Sequence, residues 1–222
     1  MDILLYLGAI VLMLVAQSSV NNAYSRYKEI VASCYYTGAE IARIILDMNG
    51  LHNVRVELAQ GGVLSDHFDP KANVVRLSQE VYYGKSIASV SISAHECGHA
   101  LQHATKYVAI DVRNMLLPFA IVSSNLAWTA IMIGFLASYS SLVTVGLVML
   151  IVIALFQLVT LPIELDASNR ALVILEDHFL RSEEIEGAKK MLSAAAFTYV
   201  ASLISTLVNV LRIVLIRNRR HD

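Results

Sequence analysis

The chain of 222 residues is 56% hydrophobic and only 16% charged, with a formal net charge of −1. Soluble domains carry about 25% charged residues, so the composition excludes an ordinary soluble domain. The balanced charge lacks the basic footprint of a nucleic-acid-binding protein, and two cysteines, Cys34 and Cys97, are too few for a disulfide scaffold. Charges are absent from long blocks, which indicates an integral membrane protein.

The N-terminal region opens with an apolar run from Ile3 to Ala16 that extends weakly to Val20. A cleaved signal peptide is the alternative to a membrane anchor. No basic residue precedes the run, however, and a small-x-small cleavage site is not evident. We therefore expect residues 1–20 to form a retained transmembrane anchor.

Residues 21–113 form the first polar segment, in which helical and strand periods alternate. Apolar residues at helical spacing predict helices, strict alternation predicts half-buried strands, and clusters of Asp, His and Pro predict loops. The predicted elements are a helix over Tyr24–Met48, a strand over Val54–Leu58, a loop over Asp66–Pro70, a strand over Val74–Leu77, and a helix from Ser86 through Ala104.

The next fifty residues, Asn114 to Ile163, contain no Asp, Glu, Lys or Arg. Because about 20 apolar residues cross a bilayer, residues 114–163 predict a hairpin of two spans, with its turn at Ser138–Ser141. The remaining regions are a second polar segment over residues 164–190, a fourth span over residues 191–216 and a basic tail over residues 217–222. Since the hairpin leaves and returns, both polar segments must lie on the same side of the membrane.

The last predicted helix of the first polar segment contains His95-Glu96-Cys97-Gly98-His99, an H-E-x-x-H pattern. Four residues are just over one helical turn, so both imidazoles project from one face, about 6 Å apart along the axis. Zinc accepts such nitrogens as ligands. Glu96 is placed to accept a proton from water at the metal rather than to bind the metal itself. The pattern therefore predicts a Zn²⁺ site with His95 and His99 as ligands and Glu96 as the base.

A catalytic zinc needs a third protein ligand and one open position. The metzincin extension is missing, since Gln102 and Thr105 stand where it requires Gly and His. His103 lies about 12 Å along the helix from His95, too far to share one metal. Later candidates are Asp111, Glu164, Asp166, Glu176, Asp177 and His178. Among them Glu164 is favoured because it ends the uncharged block and returns to the side that holds the two histidines.

The chain resembles the YugP-type bacterial membrane zinc metallopeptidases over nearly its whole length and in the order of its spans. The segments that carry the resemblance are His95–His103, Asp66–Pro70, Glu164–Ser168 and Ala194–Val200. The resemblance implies a gluzincin-like site in which His95, His99 and Glu164 bind zinc and Glu96 is the catalytic base.

A more distant similarity is to HtpX-type and prenyl-protein membrane peptidases, which usually carry Asp four residues after the ligand Glu. This chain has Ser168 at that position. Metal-binding histidines are normally oriented by a hydrogen bond to their second nitrogen. We therefore expect Ser168, Asp166 or Asn169 to orient a ligand histidine.

The resemblance implies a mainly α integral membrane protein, with about four transmembrane helices and a small α+β zincin-like catalytic domain on one side. The expected activity is that of a zinc-dependent endopeptidase of the cell membrane. Its expected partners are the lipid bilayer and a membrane-associated polypeptide substrate. The alternative is a metal-binding structural or adaptor protein without turnover. Glu96 argues against that alternative, because a structural zinc site is usually closed by four protein ligands and needs no base.

The expected chemistry also requires a group that stabilises the oxyanion. Candidates are His67, Arg170, His178 and Tyr199. An extended peptide substrate can pair with the edge of a strand, and Val54–Leu58 and Val74–Leu77 both qualify. Cys97 should face away from His95 and pack as a small buried residue.

Positive residues near the span ends predict the orientation in the membrane. On the side of the two polar segments they are Arg26, Lys28, Lys106, Arg113, Arg170, Arg181, Lys189 and Lys190, and on the other side Arg217, Arg219 and Arg220. The basic tail by itself favours a cytoplasmic C-terminus. The excess of eight positive residues over three nevertheless favours catalytic segments that lie in the cytoplasm, where the thiol of Cys97 also stays reduced.

Overall fold

The computed structural model describes residues 2–62 and 65–218; Arg219 and Arg220 of the predicted tail lie outside them. The elements, in chain order, are α1 (Asp2–Tyr27), α2 (Gly38–Met48), β1 (Arg55–Leu58), β2 (His67–Asp69), β3 (Val74–Leu77), α3 (Gln79–Tyr83), α4 (Ile87–Ala104), α5 (Val108–Leu136), α6 (Ser140–His178) and α7 (Ser182–Asn218). Among the described residues, α1, α5, α6 and α7 are long and apolar enough to cross a membrane. The prediction of a mainly helical protein with four candidate spans is confirmed.

The chain divides into two compact units. The first contains α1 up to Gln17, α5, α6 up to Pro162, and α7 from Phe197 onward. Small residues let its helices approach closely, as is common in membrane bundles: a Cβ atom added to Gly146 of α6 would lie 2.8 Å from the Ala127 carbonyl oxygen of α5. Gln157 of α6 donates a hydrogen bond to the Ser202 hydroxyl of α7 at 2.9 Å. This unit holds the longest apolar parts of the chain.

The second unit contains residues 18–107 and 163–196, and therefore the first predicted polar segment up to Tyr107 and all of the second. Its sheet has the order β1-β3-β2, with β1 parallel and β2 antiparallel to the central strand β3. The helices α2 and α4 contribute fully buried side chains to its core, among them Ile41, Ile45, Leu46 and Val90. The sheet and this core hold α4, the helix that contains the H-E-x-x-H pattern.

The predicted helix over Tyr24–Met48 is wrong in its middle, because the structure contains two helices separated by residues 28–37. Tyr35 has a left-handed backbone with φ of 58°. Thr37 and Glu40 form a reciprocal capping box that starts α2. A Cβ atom at Gly38 would lie 2.3 Å from the Val81 carbonyl oxygen, so a glycine is required where α2 begins. The T-x-x-E sequence is the signal for this second helix start.

The predicted strands are confirmed as β1 and β3, and the predicted helix from Ser86 as α4, whose first turn Ser86 caps. The predicted loop over Asp66–Pro70 is wrong, since His67–Asp69 form β2 against β3. Three residues are too few to show an alternating pattern. Because β3 is paired on both sides, it is excluded as the peptide-binding edge, and β1 and β2 are the outer strands.

Candidate metal centre

The helix α4 presents the two histidines of the H-E-x-x-H pattern on one face. The rings of His95 and His99 lie with their centroids 4.7 Å apart and nearly perpendicular to each other. The helix is buried along most of its length, which holds its backbone firmly. His95 and His99 themselves remain 15% and 17% exposed at their side chains, so the ligand face is reachable from solvent.

Glu164 of α6 completes the group. One oxygen of its carboxylate, Oε2, lies 3.3 Å from Nε2 of His95 and 3.5 Å from Nε2 of His99. The ligand atoms of all three residues lie within 4.8 Å of one another. Nitrogen and oxygen donors at about 2.0–2.1 Å from one tetrahedral ion are separated by roughly 3.3–3.4 Å. The donor set and its spacing therefore fit a zinc ion.

The helices α4 and α6 approach each other closely beside the candidate ligands. A Cβ atom at Gly98 would lie 2.6 Å from the carbonyl oxygen of Ala167, inside van der Waals contact. Gly98 is one residue before His99, and Ala167 is three residues after Glu164. The absence of a side chain at Gly98 therefore permits the close approach of the α6 backbone.

Glu96 is a buried carboxylate, only 8% exposed, on the same helix as the two histidines. Asp66, immediately before β2, is a second acidic group whose charge interacts with that of Glu96. Burial raises the pKa of Asp66, and the charge of Glu96 raises it further, while hydrogen bonds from the Ser78 amide and hydroxyl oppose the shift. Asp66 therefore ionises less readily than an exposed aspartate. Of these two carboxylates, Glu96 is the one that lies on α4 with the candidate ligands His95 and His99.

The electrostatic environment of His99 favours a positive charge. Burial lowers the pKa of His99, but the hydrogen bond to Glu164 and the charges of Glu96 and Glu164 outweigh it and raise the pKa to about 9. Carboxylates that attract a proton also attract a divalent cation, and a histidine that binds metal must give up its proton. The charge distribution thus suits a cation at this position.

Each histidine has a hydrogen-bond partner at its second ring nitrogen. The Ser168 hydroxyl lies 3.2 Å from Nδ1 of His95, as expected for one of the three candidates. Gln102 Oε1 lies 3.0 Å from Nδ1 of His99; the sequence reasoning missed this residue. Asp166 acts one step further away, on Gln102, and Asn169 is exposed. In the sequence, Gln102 could have been recognised as a polar residue that lies three positions after the candidate ligand His99 on a helix expected to be buried.

The other candidate ligands lie elsewhere. Glu176, Asp177 and His178 follow Glu164 by 12 to 14 residues on the same helix, about 18–21 Å along its axis. The Asp166 carboxylate accepts hydrogen bonds from Gln102 and Arg170. Asp111 belongs to the other compact unit. Within the described part of the chain, the group that could hold a metal is His95, His99 and Glu164.

The four oxyanion candidates are not brought together. His67 is exposed on β2, Arg170 is paired with Asp166 at 2.6 Å, and His178 ends α6 with its ring near Phe179. Tyr199 belongs to the other unit.

Cys97 is fully buried, and its thiol faces the Ala42 carbonyl of α2 at 3.6 Å. Burial raises its pKa well above the usual range, so the thiol stays protonated. The expectation that Cys97 is a packed residue is confirmed.

Residues 2–218 match the model of a family described as "Putative neutral zinc metallopeptidase". A protein of Bacillus subtilis (strain 168), named "Putative membrane protease YugP", is 43% identical over 215 residues, which cover 96% of this chain and 95% of that protein. No solved structure gives a significant match.

The close approach at Gly98 generates a prediction. Gly98→Ala should push α4 away from α6, lower the stability by about 1–3 kcal/mol and weaken zinc retention, because it separates His99 from Glu164. Thermal unfolding and zinc content at limiting metal measure the two effects. Gly8→Ala is the control, since a Cβ atom there meets nothing within 4 Å. Equal zinc retention in the two variants would show that the Gly98 contact does not set the ligand spacing.

Proposed function

Since this chain belongs to the neutral zinc metallopeptidase family, we propose that it is a membrane zinc endopeptidase. In this proposal His95, His99 and Glu164 bind zinc, and Glu96 is the general base. The observation that carries it is the convergence of two imidazole nitrogens on one carboxylate oxygen, at 3.3 and 3.5 Å. The sequence spacing of the two histidines and the acidic residue between them support the same chemistry.

When bound, zinc supplies a Lewis acid that activates water and polarises the peptide carbonyl. Glu96 takes a proton from the water as its oxygen attacks the carbonyl carbon. Glu96 then donates this proton to the leaving nitrogen as the C–N bond breaks, so that one water is added across the peptide bond. The products are a carboxylic acid and an amine. The buried position of Glu96 excludes bulk water from this proton transfer.

We further propose that the polypeptide substrate extends along β2. One contact favours this outer strand. The ring of Phe68 packs 5.7 Å, between centroids, from that of His103, which is one helical turn beyond His99 on α4. Arg76 of β3 donates a hydrogen bond to Asp69 at 2.7 Å and holds the pKa of Asp69 at about 2, so this ion pair across the two strands persists at neutral pH.

The pair of site variants Glu96→Gln and Glu164→Ala tests the roles of base and ligand. Glu96→Gln should keep zinc and lose about 10²–10⁴-fold in cleavage rate, because an amide cannot accept the proton. Glu164→Ala should lose zinc at limiting metal. Metal content and casein cleavage by the purified full-length protein, before and after a chelator, measure both.

Glu186→Gln is the matched control, because Glu186 lies on the surface of α7 in an ion pair with Lys190. Wild-type cleavage by Glu96→Gln would reject Glu96 as the base. Zinc lost from Asp166→Ala but kept by Glu164→Ala would move the third ligand by two positions. A wild-type protein that binds zinc but cleaves nothing would support the adaptor function instead.

Pairing along β2 predicts a period of two. Only alternate residues of a strand face a given neighbour, so N-methylation of a cleaved peptide should lower kcat/KM at alternate residues. Each lost hydrogen bond is worth about 0.5–1.5 kcal/mol, or roughly 2- to 13-fold. Cleavage assays on a peptide methylated one residue at a time test this. A loss without alternation would argue against strand pairing.

We propose a cytoplasmic orientation for the second compact unit, from the eight-to-three excess of positive residues near its side of the spans. Gln60 is exposed two residues after β1, Cys34 is partly buried and Cys97 is fully buried. In a Cys34→Ser background, Gln60→Cys should resist a membrane-impermeant thiol reagent in intact cells and react after permeabilisation. Labelling in intact cells would reverse the orientation.

A further inference from the structure

Gln102 is a polar residue in the core of the second unit. Its exposed fraction is 0%, although it lies on α4 only three residues after His99. A buried amide without partners is costly, so its hydrogen bonds determine whether the structure tolerates it. Gln102 makes three, and each one bears on the candidate metal centre.

The amide nitrogen of Gln102 donates both of its protons to α6. One goes to the Ile163 carbonyl oxygen at 2.7 Å and the other to Asp166 Oδ2 at 2.8 Å. These two acceptors flank Glu164 in the sequence. Arg170 donates to the same Asp166 oxygen at 2.6 Å, which holds that carboxylate in position. Gln102 therefore ties the helix of the two histidines to the segment that presents Glu164.

These partners also fix the orientation of the amide. A backbone carbonyl accepts hydrogen bonds and cannot donate them. A flipped amide would set its oxygen against the Ile163 carbonyl oxygen, so Gln102 Oε1 must face His99, 3.0 Å from Nδ1. Because Oε1 can only accept, Nδ1 of His99 must carry the proton. Nε2, which faces Glu164, is then the nitrogen with the free lone pair in the neutral ring.

We propose that Gln102 is a positioning residue that fixes the metal-binding tautomer of His99 and holds it in register with Glu164. This inference rests on the proposed function, since it assigns Gln102 a role toward the zinc that His95, His99 and Glu164 would bind. Gln102 does not touch the ion or the substrate. It acts through the ring of His99 and the backbone of α6.

The first test is Gln102→Met, which keeps the length of the side chain and removes its hydrogen bonds. Losing an outer partner of a metal-binding histidine typically costs 10- to 100-fold in metal affinity, and we expect zinc affinity to fall by this amount. Chelator competition on the full-length protein measures it, and the visible absorption of the Co²⁺-substituted protein should change as His99 loses its fixed orientation. Gln60→Met, at an exposed glutamine, is the matched control and should change neither.

The second test exchanges the charge between Gln102 and Asp166. Gln102→Glu should weaken zinc binding at least as much as Gln102→Met, because it sets a carboxylate against the Asp166 carboxylate. The double variant Gln102→Glu/Asp166→Asn should recover part of the affinity that Gln102→Glu loses. Its carboxylate at position 102 accepts from His99 and from the new amide at position 166, whereas the hydrogen bond to the Ile163 carbonyl is not restored. A role in packing alone predicts no such recovery, since glutamine, glutamate and methionine side chains at position 102 have nearly the same volume.

The outcomes separate the two proposals. A wild-type protein that does not bind zinc overturns the proposed function and the role of Gln102 with it. Wild-type zinc binding that Gln102→Met leaves unchanged, in affinity and in the Co²⁺ spectrum, overturns the role of Gln102 alone. If Gln102→Met fails to fold, the double variant decides: recovered affinity supports tautomer control, and unrecovered affinity in a folded double variant rejects it.

Discussion

The contact between Gly98 and Ala167 is the constraint on which the candidate metal centre depends. Two of the candidate ligands, His95 and His99, lie on α4, and the third, Glu164, lies on α6. Side chains of fixed length can meet at one point only if their backbones are held at the right separation. A hydrogen in place of a methyl group at position 98 permits that separation, since a Cβ atom would lie 2.6 Å from a backbone oxygen that cannot rotate away. The glycine inside the H-E-x-x-H pattern therefore sets geometry without supplying a ligand.

Local patterns made much of the fold predictable. The spacing of His95 and His99 depends only on the helical repeat, and the uncharged block from Asn114 to Ile163 depends only on composition. The favoured third ligand required one topological step, the return of a hairpin to its starting side. The helix predicted over Tyr24–Met48 failed because helical spacing was followed through a segment whose capping box begins a new helix at Thr37.

Features that depend on residues distant in the chain could not be predicted from the sequence. The strand β2 exists because β3 offers it an edge, and three residues carry too little pattern to indicate this. Gln102 was noted only because it breaks the metzincin pattern; its partners on α6 are more than sixty residues away. Ser168 could be predicted as an orienting residue because family resemblance supplied the position, whereas nothing in the chain itself indicated which histidine it would face.

The imidazoles of the two candidate ligands, His95 and His99, are oriented by neutral groups, and this affects the charge of the candidate centre. A carboxylate in place of Ser168 or Gln102 would make the facing histidine more basic and add a negative charge. With a hydroxyl and an amide there instead, the carboxylate of Asp166 is set back behind Gln102 and is neutralised by Arg170. Burial also makes Asp66 less ready to ionise. Glu164 and Glu96 are then the acidic residues nearest the histidines, and in the proposed function they would face one divalent cation in a site where uncompensated charge is costly.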